Sequence, residues 1–197
     1  MEKFIKEIDG IYRLKVTFET VYTSVFLVDT DGGVLLVDCA TTSDDVDNCI
    51  LPALQEMGYE FSDLLAIVIT HRHGDHAGGL DRIRSYAPDI RVLTEVGDIG
   101  NKVSVYPMAG HTDDMVGVLD RRTGTLISGD GLQGAGVDKY RCYVKNKDAY
   151  LETVERIKND KRIENVLFSH AYEPWYKDKA FGREAVENCL ADCLKYV

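Results

Sequence analysis

The stretch THRHGDHAGG, residues 70–79, places three histidines and one aspartate within six consecutive positions. The whole chain contains only five histidines, so most of them are concentrated here. Imidazole nitrogens and carboxylate oxygens are the donors that zinc, iron and manganese take in proteins. We therefore treat His71, His73, Asp75 and His76 as candidate metal ligands.

The spacing of these residues suits two centres rather than one. On a helix, side chains at i and i+2 point in nearly opposite directions, whereas on extended backbone they point the same way. The apolar run LLAIVIT at 64–70 precedes the stretch and is typical of a strand buried on both faces. If the backbone stays extended beyond it, His71, His73 and Asp75 converge above the strand's carboxyl edge. His76 then points to the other side, toward a second centre.

Three further candidates lie alone, each just beyond a predicted apolar strand. They are His111 in AGHTDD, Asp130 in TLISGD and His170 in NVLFSH. Taken singly, a strand-end histidine is more often a surface or core residue, and Gly-Asp is common in turns. Ligand sites nevertheless gather at strand ends in layered α/β folds. Together, five histidines and two aspartates suffice for two divalent cations, of which zinc is the leading choice and iron or manganese the alternatives.

The elements that must position these residues follow from hydrophobic periodicity and turn chemistry. Predicted strands cover 11–18, 24–29, 64–70, 91–94, 102–106, 115–119, 124–128 and 163–170, with a hairpin over 24–38. Predicted helices cover 43–58, interrupted by Pro52, then 78–87, 147–160 and 178–197. Hairpins followed by alternating strands and helices predict an α/β protein with sheets inside and helices outside. Since no linker or repeat is visible, we expect one domain over residues 1–197.

Composition limits the classes of partner and compartment. The chain has a net charge of -10 at neutral pH, which disfavours general binding to nucleic acid phosphates. Its five cysteines are odd in number and contain no C-x-x-C pair, which argues for reduced thiols. No apolar run reaches membrane-spanning length, and the N-terminus lacks a secretory h-region. We therefore expect a cytoplasmic protein that acts on a small molecule, with neither membrane nor nucleic acid as partner.

The order THRHGDHAGG, then GHT at 110–112, SGD at 128–130 and SH at 169–170 resembles the metallo-β-lactamase superfamily. Within that superfamily, the pattern is most similar to glyoxalase II and related hydrolases, which supply no cysteine ligand. The resemblance implies an αββα sandwich with the site at the sheet edge. Asp113 and Asp114 depart from the Pro-Gly that relatives often have after this histidine.

The resemblance also implies roles for individual residues. It assigns metal 1 to His71, His73 and His111, metal 2 to Asp75, His76 and His170, and a bridging position to Asp130. Because LLVDCA resembles the family's strand that ends in aspartate, Asp38 is expected near the site, although capping of the strand end explains it equally well. Tyr140 and Tyr143, in the Gly-rich segment after Asp130, are candidates for a substrate wall or an oxyanion donor, with packing under a helix as the alternative.

These assignments favour a dinuclear hydrolase of a small ester, thioester or lactone. A metal-bridging hydroxide would attack the carbonyl, and Asp75 would both ligate and orient the proton of that nucleophile. Two alternatives on the same fold are mononuclear iron chemistry of the persulfide dioxygenase kind and phosphodiester hydrolysis. A third is a metal-binding scaffold without turnover.

Overall fold

The computed structural model of the protein describes residues 2–18, 21–132, 143–171 and 177–197. The chain divides into two compact units, Met1–Thr94 and Glu95–Val197. Each unit has one six-stranded mixed sheet with its own helices, which confirms the predicted α/β class. The expectation of one domain over the whole chain stays a prediction. Within the described ranges, no helix is both long and apolar enough to cross a membrane.

The first unit contains a sheet whose strands lie in chain order. These strands are β1 (Ile5–Ile8), β2 (Ile11–Phe18), β3 (Val21–Asp29), β4 (Val34–Val37), β5 (Leu64–Val68) and β6 (Val92–Leu93). Neighbours are antiparallel from β1 to β4 and parallel from β4 to β6. The β3–β4 pair confirms the predicted hairpin. Since β4 and β5 run parallel, the residues that follow them emerge at the same edge of the sheet.

Helical turns connect these strands. They are α1 (Ser43–Asp45), a π-helical turn (Val46–Ile50), α2 (Leu51–Glu56), a 3-10 turn (Phe61–Asp63), α3 (Gly74–Ala77) and α4 (Leu80–Tyr86). The Thr42 hydroxyl accepts from the Asp45 N–H at 3.1 Å, and the Asp45 carboxylate accepts from the Thr42 N–H at 2.8 Å, a capping box. Pro52 falls in the first turn of α2, where its missing N–H costs no helical hydrogen bond. The predicted interruption at Pro52 is thus a π-helical turn followed by a new helix start.

The second unit contains the other sheet. Its strands are β7 (Gly97–Ile99), β8 (Val103–Pro107), β9 (Val116–Asp120), β10 (Thr125–Ile127), β11 (Asn165–Leu167) and β12 (Lys179–Phe181). Its spatial order is β12-β11-β10-β9-β8-β7. Only β10 and β11 pair in parallel among these neighbours. The segments that end in Asp130 and His170 therefore leave this sheet at one edge.

Two helices belong to the second unit, α5 (Lys147–Asn159) and α6 (Arg183–Cys193). Helix α5 confirms the prediction for 147–160, and its buried Tyr150, Val154 and Ile157 recur at helical spacing. The prediction of a helix from residue 178 is wrong at its start. Lys179–Phe181 form β12 and pair with β11, and Gly182 adopts a φ of 86° before α6 begins.

Candidate metal centre

In the first unit, His71 and His73 follow the carboxyl end of β5 and face one another. His71 Nε2 lies 3.0 Å from His73 Nδ1. The Thr70 hydroxyl donates to Asp38 Oδ2 at 2.9 Å, and its oxygen lies 3.2 Å from His71 Nδ1. Because the single hydroxyl proton is used toward Asp38, His71 Nδ1 acts as the donor to Thr70. His71 Nε2 therefore carries its lone pair toward His73, as a metal ligand would.

Asp75 and His76 lie on the helical turn α3, not on extended backbone. His73 is the N-cap of this turn, with φ -66° and ψ 150°. The expectation that extended backbone continues through Asp75 is wrong, because Gly74 already begins the helix. The turn separates Asp75 from the preceding histidine pair and brings its Oδ2 to 3.4 Å from His76 Nε2. These two side chains thus form a second pair of donors.

A buried network orients His76. Its Nδ1 donates to Asp38 Oδ2 at 2.7 Å, so Nε2 is left to act as the acceptor or ligand. Asp38 Oδ1 also accepts from the Thr70 backbone N–H at 2.8 Å. Asp38 is fully buried, and it adopts a φ of 62°, a region that few non-glycine residues occupy. Asp38 therefore caps the end of the strand and also orients a candidate ligand, so the two roles considered from the sequence are compatible.

Two glycines make the close packing of this segment possible. A Cβ on Gly78 would lie 2.0 Å from the Thr41 carbonyl oxygen, and one on Gly79 would lie 2.2 Å from the Cys39 carbonyl oxygen. The Cys39 N–H in turn donates to the His76 carbonyl at 2.8 Å. The backbone around His76 is therefore fixed by direct contact with the segment after β4. This explains why the motif ends in Gly-Gly.

In the second unit, one carboxylate stands between two histidines. Asp130 Oδ2 lies 3.7 Å from His111 Nε2, and Asp130 Oδ1 lies 3.2 Å from His170 Nε2. All three side chains are buried. Each oxygen of Asp130 is thus directed to a different histidine. A carboxylate that joined two cations would use its oxygens in this way.

His111 is held by the segment that precedes α5. Its Nδ1 donates to the Tyr143 carbonyl at 2.7 Å, which again leaves Nε2 as the available nitrogen. The Tyr143 ring meets the imidazole edge-on, with centroids 5.5 Å apart, and is 55% exposed. Gly110 precedes His111 with a φ of 144°, and a Cβ there would lie 2.6 Å from the Tyr150 Cα. The other tyrosine candidate, Tyr140, lies outside the described residues.

Asp113, which departs from the Pro-Gly that relatives often have after the histidine equivalent to His111, forms an ion pair. Asp113 Oδ2 lies 2.6 Å from Lys145 Nζ, and the hydrogen bond from Lys145 lowers the pKa of Asp113. Both side chains are more than half exposed, so the pair contributes little stability by itself. It joins the turn that carries His111 to the same segment that contributes the Tyr143 carbonyl.

In each of the four donor pairs, the two atoms lie near the separation expected for two ligands of one ion. Bonds of about 2.0–2.2 Å in tetrahedral geometry place neighbouring donors about 3.3–3.6 Å apart. The pairs described above are separated by 3.0, 3.4, 3.7 and 3.2 Å, distances that lie within or on both sides of this range. Three of the histidines also have Nδ1 engaged as a donor, which directs Nε2 toward the neighbouring candidate ligand. Sequence reasoning missed two orienting groups, the Thr70 side chain and the Tyr143 carbonyl.

Comparison with known proteins gives a consistent result. A family model described as the metallo-beta-lactamase superfamily matches residues 19–92. The uncharacterized protein YobT of Bacillus subtilis (strain 168) is 26% identical over 151 residues, which cover 56% of this chain and 62% of YobT. The hydroxyacylglutathione hydrolase of Actinobacillus pleuropneumoniae serotype 5b (strain L20) is 27% identical over 164 residues, or 75% of this chain and 65% of the relative. The chain thus spans less than two thirds of either curated relative.

Solved structures show which fold the chain shares. The crystal structure of the DIM-1 metallo-beta-lactamase matches with a TM-score of 0.76 and 16% identity, covering 100% of this chain and 98% of that one. At this level of identity the likeness concerns the fold alone. It confirms the predicted αββα sandwich of the metallo-β-lactamase type.

Proposed function

We propose that the chain is a member of the metallo-β-lactamase superfamily and a dinuclear metal-dependent hydrolase of a small ester, thioester or lactone. The match of the family model to residues 19–92 and the fold shared with solved metallo-beta-lactamases support this proposal. The observation that carries the proposal is the position of Asp130, whose two oxygens face His111 and His170 separately. A single-ion site needs no carboxylate with both oxygens so engaged. A carboxylate that gave one oxygen to each of two neighbouring cations would be engaged in this way.

We assign the ligands as the family pattern distributes them. His71, His73 and His111 would hold one cation, Asp75, His76 and His170 the other, and Asp130 would bind both. All donors are nitrogen or oxygen, which suits zinc, with iron or manganese as alternatives. When bound, such cations supply Lewis acidity, which lowers the pKa of water and polarises a carbonyl oxygen.

The chain's own side chains have separate tasks in this proposal. Asp38 and Thr70 fix the ring orientation and tautomer of the histidines beside them, so that Nε2 of each is presented as the ligand atom. Asp75 is exposed on about a quarter of its side chain, so its carboxylate can also accept a proton from the attacking water. Tyr143, with its exposed ring against His111, would form one wall for the substrate.

The substrate class rests on chemistry and on one relative. The hydroxyacylglutathione hydrolase named above supports a thioester, and no cysteine stands among the proposed ligands. The buried thiols of Cys39, Cys189 and Cys193 fit a reducing compartment, so we also propose a cytoplasmic location. The specific substrate must come from experiment, because the fold alone hosts many reactions.

Metal analysis followed by a substrate panel tests the proposal. The protein is stripped with a chelator, titrated with Zn²⁺, Mn²⁺ or Fe²⁺, and assayed on a thioester, a lactone, a phosphodiester and a persulfide. We expect two cations per chain and hydrolysis of a thioester or lactone that depends on both. One iron per chain with oxygen consumption on the persulfide would replace the proposal by the dioxygenase alternative. Two cations with cleavage of the phosphodiester alone would change the substrate class.

A further inference from the structure

The first unit has a cavity of about 430 Å³ beside the segment that carries four of the candidate ligands. Its lining includes Ile69 at the end of β5, Ala77 at the end of α3, Leu80 on α4 and Val92 on β6. Ile69 is buried, and the other three are partly buried and pack against the same core. The volume lies in the range of small-ligand pockets, and the lining provides an apolar floor.

Two arginines, Arg72 and Arg84, also line this cavity, and none of its described lining residues is acidic. This is unusual in a chain with a net charge of -10. Three other cavities of the described chain each include a carboxylate, namely those of Asp89, Asp98 and Asp192. The cavity is therefore the one of these four whose described charged groups are all positive.

Arg84 is well placed to receive an anion. Its guanidinium is about half exposed, and its ion pair with Asp81 is 4.0 Å long, with the Asp81 side chain fully exposed. Such a pair is weak, so a better acceptor can replace it at little cost. The planar guanidinium fork matches the paired oxygens of a carboxylate or a phosphate.

We propose that this cavity binds a small organic oxyanion, a carboxylate or a phosphate monoester that carries a short aliphatic chain. The head group binds at Arg84, and the chain lies on the apolar floor. A neutral alcohol of the same chain length contacts only the apolar floor, and a small anion without the chain contacts only the guanidinium. The site is separate from the seven candidate metal ligands, and the inference does not depend on the proposed hydrolase activity.

The site adjoins the metal-ligand segment through its backbone. Arg72 lies between His71 and His73, and Ala77 directly follows His76. An occupant of the cavity thus contacts residues that directly neighbour three candidate ligands.

The test is a calorimetric titration of the protein with hexanoate at low ionic strength. Hexyl phosphate identifies the preferred head group, while hexanol and acetate each lack one of the two required parts. The variants are Arg84→Gln and, as a matched control, Arg91→Gln, an exposed arginine of the same unit that lines a different cavity. Every titration is run on the protein as purified and again after chelation, since a carboxylate could also bind a cation.

We expect saturable binding of hexanoate or hexyl phosphate that survives chelation, with hexanol and acetate binding much more weakly. Arg84→Gln should weaken it about tenfold, as the loss of a hydrogen bond to a charged group does, and Arg91→Gln should leave it unchanged. Thermal melting verifies that both variants fold. The inference is overturned by the absence of saturable binding, by equal binding to wild type and Arg84→Gln, or by binding that disappears on chelation.

Discussion

Replacing Asp130 with alanine should empty both metal positions, whereas replacing His170 should empty mainly one. The difference follows from the geometry of the second unit. Asp130 Oδ2 lies 3.7 Å from His111 Nε2, and its Oδ1 lies 3.2 Å from His170 Nε2. His170 is paired with only one of these two oxygens. Asp130 would thus supply a donor to each of the two proposed metal centres, whereas His170 would supply a donor to only one of them.

The size of the effect can be worked from this donor count. A zinc site with four donors has a binding free energy of about 10–16 kcal/mol, or about 3 kcal/mol per donor. Because a tenfold change in affinity corresponds to about 1.4 kcal/mol, the loss of one donor lowers the affinity for that ion about a hundredfold. We therefore expect Asp130→Ala to lower the affinity for both ions by about this factor. His170→Ala should lower the affinity for one ion by this factor and the affinity for the other ion much less.

The assay is metal stoichiometry after dialysis against a weak chelator, with both variants and the wild type treated side by side. Asp89→Ala provides the control, because Asp89 is an exposed aspartate outside the proposed ligand set. We expect about two, one and zero ions for wild type, His170→Ala and Asp130→Ala. Retention of both ions with normal activity by Asp130→Ala would refute the bridging role and leave Asp130 as a turn residue.

Three further outcomes are expected. His73→Ala should abolish hydrolysis while it changes the free energy of unfolding by less than about 1 kcal/mol, because this side chain lies outside the core; activity and chemical denaturation measure the two effects, and wild-type turnover would contradict the assignment. Asp38→Asn should weaken the ion at His76 by about 10–100-fold, the usual cost of losing a partner that orients a ligand; competition with a fluorescent chelator measures it, and unchanged affinity would limit Asp38 to capping. Cys189 and Cys193 should be reduced, since both are buried on the packed face of α6; thiol titration of the unfolded protein should find all five thiols, and a lower number would contradict this.

Strong periodicity made most central elements predictable. The strand predicted over 11–18 is β2, with both ends in place, because its apolar residues alternate and a glycine precedes it. Helix α5 was equally readable, since its buried residues recur at helical spacing and Asn146 caps it through a hydrogen bond from the Ala149 N–H at 3.1 Å. In both elements, local sequence and tertiary packing favour the same conformation.

Short strands with weak local signals are the elements that the sequence analysis does not predict. β7 consists of Gly97–Ile99, and glycine and aspartate have low strand propensity; this segment is a strand because it pairs with β8. β12 lies where the sequence predicts the start of a helix, because its pairing with β11, an earlier strand, cannot be read from a local window. β1 also lies outside the predicted strands, although it pairs with β2 across the short turn at Asp9 and Gly10.

The candidate site illustrates the same division between local and distant information. The residue types and the spacing of the histidine motif could be read from the sequence, but the role of Thr70 could not. Asp38 follows β4 and Thr70 follows β5. The resemblance predicts that Asp38 lies near the site, whereas Thr70 is visible only as a polar residue after an apolar run. Their meeting depends on the parallel pairing of β4 with β5, in which Val37 lies opposite Val68. Once that pairing is known, the Asp38 N–H donates to the Val68 carbonyl at 2.9 Å, and the carboxylate comes within reach of the Thr70 hydroxyl. Strand order, rather than any further motif, is therefore the information that converts the conspicuous histidines into an oriented set of ligands.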